Sequence, residues 1–211
     1  MKSSAPEFAR GLQTPGREDE DASMTLSEAQ AEFRSTYRGG SVGLAVAGLV
    51  WSAATITTLA VGINWGIVVM VGVGFFIYPL TLLVLKMFGG HTPISTNNPL
   101  RGLSVEAPFV GPMMLPLVAA AALYRVDWFY PAMMLAIGAH YLPFSSLYGM
   151  KMFRLLGAIM STGGVSVALW APGLSTAAAG ATAAMMFVFA FVAYQSTTQD
   201  GQKGQRDGSV N

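Results

Sequence analysis

The chain has 211 residues, of which 53% are hydrophobic and 11% charged, against roughly 25% charged in an ordinary soluble domain. Lys plus Arg is 12 and Asp plus Glu is 11, a balance that argues against a nucleic-acid partner, and the absence of Cys excludes disulfides, thiolate metal sites and a cysteine nucleophile. Residues 39–199 hold only seven charged side chains, Lys86, Arg101, Glu106, Arg125, Asp127, Lys151 and Arg154, so the composition is that of a membrane protein with polar ends.

Residues 1–22 are polar and carry the acidic run Glu18-Asp19-Glu20-Asp21; with so little apolar surface they are expected to be a disordered cytoplasmic tail. The first long apolar run begins only at Ser41, so no cleaved signal peptide is expected. Over residues 23–39 an amphipathic entry helix is predicted. Thr25 and Glu28 make a capping box, and Leu26, Ala29, Phe33 and Tyr37 share one face. Such a helix either lies at the membrane surface or packs on its own bundle.

Six apolar stretches follow within a domain spanning 40–196, at about 41–62, 65–86, 107–124, 128–148, 152–170 and 174–195. Each approaches the roughly 20 residues that cross a ~30 Å hydrocarbon layer. The expected fold is therefore all-α, a bundle of six transmembrane helices in the cell membrane. Barrel strands would be half as long and alternate in polarity. The fourth stretch is the weakest, broken by His140, Pro143 and Ser145-Ser146.

With a cytoplasmic N-terminus, the inner side carries Arg34, Arg38, Lys86, Arg101, Lys151, Arg154, Lys203 and Arg206, while the outer loops carry Arg125 alone. This bias places both termini in the cytoplasm. Trp65, Trp128 and Trp170, with Tyr124 and Tyr130 beside them, then fall at the outer boundary as an aromatic belt. The connections are short except for a cytoplasmic loop over 87–106, rich in Gly, Pro, Asn, Ser and Thr, a length often associated with function. Residues 197–211 are expected to be a second disordered cytoplasmic tail.

His140 is the one ionisable group well inside a predicted span, and an intramembrane His is costly unless paired or facing a wet cavity. Pro143 lacks an N–H and frees a carbonyl near Ala139. On the second stretch Tyr78-Pro79 lies at a similar depth, so two proline-interrupted helices can frame a shared cavity. The candidate ligand-binding residues are His140, Tyr141 and Tyr78, with Asn98 from the long loop; no catalytic or metal residues are assigned. The alternative for His140 is a neutral imidazole bonded to a carbonyl or Tyr as packing glue.

Other features carry less chemistry. Small residues at Thr176, Gly180 and Ala184, and at Gly157 and Ser161, suit close helix packing within the bundle or a contact with a second copy. The Met pairs are flexible apolar filler. Gly89-Gly90-His91 and Asn97-Asn98-Pro99-Leu100-Arg101 offer an anion little without a Walker pattern. No HExxH, no G-x-S-x-G and no pair of intramembrane carboxylates is present, so an enzyme is the least supported reading and no cofactor is expected.

Glu32-Phe33-Arg34 followed by Gly39-Gly40, Asn98-Pro99-Leu100, and Gly138 to Phe144 with Leu147-Tyr148 resemble a family of small six-helix prokaryotic integral membrane proteins of unknown function, over about residues 25–195. The resemblance implies the topology and no activity. Two readings remain open. One is a small-solute binding or transport protein with a cavity near His140; the other is a structural or regulatory membrane subunit acting through helix contacts with a second copy or another membrane protein. Free volume around His140 separates them. The bilayer is a partner in both.

Overall fold

A computed structural model describes residues 24–88 and 92–208, with side chains described to residue 199. The tail at 1–22 and the Gly89-Gly90-His91 triplet lie outside the described residues. Among those described there is no strand. In chain order the helices are α1 Leu26–Thr36, α2 Ser41–Val61, α3 Ile63–Gly74, α4 Ile77–Met87, α5 Arg101–Glu106, α6 Val110–Tyr124, α7 Phe129–Tyr148, α8 Lys151–Trp170 and α9 Ser175–Gly208.

Four helical segments are long and apolar enough to cross a membrane: Arg38–Val61, Arg101–Tyr124, Lys151–Trp170 and Pro172–Gln199. The α3–α4 pair makes a fifth if its two parts, bent by 53°, count as one span. That bend interrupts the expected stretch 65–86 at Phe75-Phe76. The cause is Pro79, whose ring collides with the carbonyl four residues back, at Phe75. Pro143, by contrast, is carried inside a continuous α7.

α7 does not reach the apolarity of the others, and its position explains why that is tolerable. Ten of its residues are buried, from Phe129 to Tyr148, and it packs against α1, α6, α8 and α9. The buried half of α7 meets protein rather than lipid. Its polar groups can then be satisfied from within.

The closest approach in the bundle is between α7 and α8. A Cβ on Gly157 would lie 2.6 Å from the Gly138 carbonyl oxygen, and one on Gly138 would meet Ser161 Oγ and, at 2.8 Å, the Gly157 carbonyl oxygen. The Gly157 and Ser161 pair thus serves packing inside the chain. On α9 the buried line runs through Ala179, Ala183, Met186, Ala190 and Ala193, facing α2, whereas Ala184 is exposed. The expected Thr176–Gly180–Ala184 stripe is therefore displaced around the helix. Gly180 still touches Thr55 of α2.

The aromatic belt also needs one correction. Trp65, Trp170 and Tyr124 are exposed, but Tyr130 is fully buried. Its hydroxyl hydrogen-bonds with Thr58 and donates to the Ala54 carbonyl, and its ring packs on Trp51 at 6.2 Å. Gly66 of α3 sits against the same group, where a Cβ would collide with Thr58 Oγ1 and the Tyr130 hydroxyl. A Tyr with its hydroxyl satisfied belongs to the core.

At the C-terminus, helix α9 continues to Gly208 rather than ending near 196. Ser196, Thr197 and Thr198 turn their hydroxyls back onto the carbonyls of Val192, Ala193 and Tyr194, so the polar residues follow the helix without competing for its backbone. The long loop expected over 87–106 is shorter than that stretch. Its last six residues form α5, which runs through a 3-10 turn at Ala107–Phe109 into α6.

Candidate functional site

α1 is anchored to the bundle and takes no part in a lipid-facing surface on its inner side. The Thr25 capping box starts it, and Ala29, Phe33 and Thr36 are buried. Two of its polar side chains end on the C-terminal carbonyls of α7: Gln30 Nε2 donates to Ser146 O at 2.9 Å and Arg34 Nη1 to Tyr148 O at 2.8 Å. Helix C-termini leave such carbonyls unpaired and attract cations. The chain then turns through Arg38, Gly39 and Gly40, all at positive φ, before entering α2. Gly40 is required twice over, since a Cβ there would lie 2.9 Å from the Phe153 ring.

Glu32, on the adjoining face of α1, holds the long loop. Its carboxylate accepts from Ser95 N at 2.7 Å, Ser95 Oγ at 2.6 Å and Asn98 Nδ2 at 2.8 Å. These donors keep its carboxyl below the usual carboxylate range, the Ser95 hydroxyl contributing most. Asn98 is buried and fully occupied by this junction. Its amide also reaches Ala29 O, and its Oδ1 accepts from Leu100 N, turning the chain toward α5.

Behind α1, between α2, the α3–α4 bend, α6 and α7, lies a cavity of about 270 Å³. His140, Tyr141 and Tyr78 all line it, so three of the four expected site residues converge. Asn98 does not. It belongs to the junction described above. His140 packs edgewise against Tyr141 at 5.7 Å and tilted against Phe144 at 4.9 Å. Its Nδ1 is buried without a hydrogen-bond partner, on the side facing Gly111 of α6, where a Cβ would stand 3.8 Å away. The backbone of Ala107 also faces the ring.

Below His140 the wall becomes close-packed and aromatic. Tyr148 and Phe153 stack at 5.2 Å, and Tyr141 and Phe153 at 6.1 Å. Phe33 of α1 and Tyr37, just past its end, close the same end. Tyr37 interacts through its hydroxyl with the more exposed Tyr78 of α4, and burial together with that neighbour pushes the Tyr37 hydroxyl up to about 12. Tyr37 therefore stays neutral, and the pair spans the gap between the entry helix and the bent helix.

Several wall residues escaped the sequence reading. Phe33 and Tyr37 were expected only to supply an apolar face. Pro108 and Pro112 of the α5–α6 segment also line the cavity; their spacing of four, repeated at Pro116, was the available signal. No lining residue is Asp, Glu, Lys or Arg. Among the described residues no group of His, Asp and Glu side chains is placed to hold a metal ion.

No curated protein and no solved structure matches the chain. Residues 26–196 match the family of unknown function DUF7010, and the chain belongs to that family.

Proposed function

We propose that the protein is a multi-pass membrane protein with six spanning helices, α7 among them and both termini cytoplasmic, that binds or moves a small solute in the cavity beside His140. The observation carrying this reading is free volume where a packing role would need none. A cavity of about 270 Å³ remains beside a buried imidazole nitrogen with no partner. Pockets for drug-sized ligands run from about 300 to 1,000 Å³, so this one suits a smaller molecule.

Purified full-length protein in detergent, screened by thermal shift against small metabolites, tests the reading. A ligand at 100 times its Kd adds about 2.7 kcal/mol of stability. Gly74 lines the cavity, and a Cβ there has no neighbour within 4 Å. Gly74→Leu should fold and lose the shift. A screen with no hit, or a hit that survives in Gly74→Leu, refutes the reading.

A second reading has one observation in its favour. The tight ring of Tyr141, Phe144, Tyr148 and Phe153 is what a structural or regulatory subunit would use to hold α1 against α7 and α8. It predicts that His140→Leu is as stable as wild type and as active in any cellular assay.

A further inference from the structure

The cavity beside His140 opens sideways. Among the described residues that line it, only Phe75, Tyr78 and Pro112 are themselves exposed. The first two stand at the α3–α4 bend and the third on α6. α6 packs on α7, while α3 and α4 pack on α2, and the described residues of α3 and α4 make no close packing with α6. The mouth is therefore the gap between the bent pair and α6.

That gap lies in the apolar middle of its two walls. Residues 63–85 and 107–124 contain no charged side chain. Lys86 comes 11 residues after Phe75, and Pro112 comes 11 after Arg101, roughly 16 Å along each helix at 1.5 Å per residue. With both walls crossing the membrane, this depth is the middle of a ~30 Å hydrocarbon layer. Phe76, Met113 and Leu117 are exposed around it. A solute arriving from water would have to cross hydrocarbon before it met the mouth, which a charged or strongly polar molecule does only at great cost.

The interior matches its entrance. No Asp, Glu, Lys or Arg lines it. At the end away from α1 the lining residues are Ala47, Trp51, Met70, Val71, Leu115 and Met133; whichever way their side chains turn, they offer one strong hydrogen-bond donor, the Trp51 indole, and no side-chain oxygen. Residues bearing hydroxyl or imidazole groups, Tyr78, His140 and Tyr148 among them, line the rest. Along α2 the cavity runs from Gly40 to Trp51, roughly 16 Å. About 270 Å³ spread over that length is a narrow bore, suited to a chain lying along the helices rather than to a compact molecule.

We propose that the solute is an uncharged hydrocarbon chain that enters this bore from the bilayer, through the gap bordered by Phe75, Tyr78 and Pro112. This rests on the solute-binding reading above, and on α6 and the bent pair both crossing the membrane, and it names the class of solute. The chain belongs either to a bilayer lipid or to a free lipophile. Both enter by the same gap.

The experiment is heavy-atom quenching of Trp51, which is 1% exposed and lines the end of the bore away from α1. The full chain with Trp65, Trp128 and Trp170 replaced by Phe is reconstituted into phosphatidylcholine vesicles from its monodisperse fraction. Bromine is carried either on the phospholipid acyl chains or on an added long-chain fatty alcohol, and it quenches an indole only from its immediate surroundings. Gly74→Leu fills the cavity. Gly72→Leu adds the same side chain to α3 at a residue that does not line the cavity and where a Cβ likewise has no neighbour within 4 Å. With the brominated chain at its Kd, half of the cavities are filled, so Trp51 emission should fall roughly twofold in the parent and in Gly72→Leu and stay unquenched in Gly74→Leu. Quenching in the phospholipid arm assigns the chain to a bilayer lipid, and quenching by the alcohol alone assigns it to a free lipophile; either supports the proposal. No quenching in either arm, or equal quenching in all three proteins, overturns it. A metabolite shift lost in Gly74→Leu would then leave solute binding standing with a different solute, and without such a shift both readings fall.

Discussion

Replacing Gly157 by Ala tests whether backbone contact between α7 and α8 determines the bundle's stability. The added Cβ would lie 2.6 Å from the Gly138 carbonyl oxygen and 3.6 Å from Leu142 Cδ2. The first neighbour is backbone, so relief requires the helices to part. Inserting one methyl into a packed interior costs about 1–3 kcal/mol. Against this, Ala for Gly within a helix contributes about 0.5–1 kcal/mol. The same gain operates at Gly72 of α3, where a Cβ meets nothing within 4 Å, so Gly72→Ala isolates it. For chains of about 150–250 residues, 1 kcal/mol moves Tm by about 2–4 °C. Thermal melting in detergent should therefore lower Tm by several degrees for Gly157→Ala and raise it slightly for Gly72→Ala. Gly138→Ala should behave like Gly157→Ala, and the double variant should cost less than the sum, because helices already parted meet the second methyl with less resistance. The reasoning fails if Gly157→Ala melts with wild type or with Gly72→Ala.

Three further outcomes follow from the geometry. Glu32 has a folded-state pKa below its ordinary value of 4.5, so the stability it contributes is present above that value and lost as pH falls through the depressed one; melting between pH 3 and 6 should show a decline that Glu32→Gln flattens, and hydrogen exchange over residues 92–100 should rise in parallel. Glu28, held low by Thr25, acts only on the start of α1, so Glu28→Gln should leave the loop's exchange unchanged. Asn98→Ala leaves Leu100 N without its acceptor and takes a donor from Glu32, for a loss of about 1–3 kcal/mol, and should speed protease cleavage in the loop without altering any ligand's affinity. Tyr130→Phe removes the hydroxyl shared by Thr58 and Ala54 and should lower stability by about 1 kcal/mol, whereas a belt tyrosine at an interface would tolerate the change.

The meeting of His140, Tyr141 and Tyr78 was legible because two prolines and a depth count along helices running the same way are properties of the chain itself. Asn98 misled for a local reason. An Asn before Pro reads equally as a turn-former or a ligand, and only the approach of α1 shows that Ala29 and Glu32 consume its amide. Tyr130 was assigned to the boundary by its neighbours in sequence, yet the rotation of α7 points it at Thr58. The displaced face of α9 has the same origin. With Ala, Gly and Thr on every side of residues 175–184, small-residue spacing cannot select which side meets α2. The role of α1 as one end of the cavity depends on the turn at Arg38–Gly40, a reversal whose direction no periodicity encodes.

The enclosed position of α7 has a consequence for how the chain is made. The helix with the least apolar surface is the one whose ten buried residues are covered largely by α8, and α8 is synthesised after it. A segment containing His140, three tyrosines and two prolines partitions into lipid less readily than its neighbours, so on leaving the insertion machinery it has half of its shelter missing. If α7 spans the membrane as proposed, it must wait at the edge of the translocation site until α8 emerges and the two enter together, Gly138 against Gly157. Chains released after residue 149 should accordingly leave α7 extractable from the membrane by alkali, and those released after Trp170 should not.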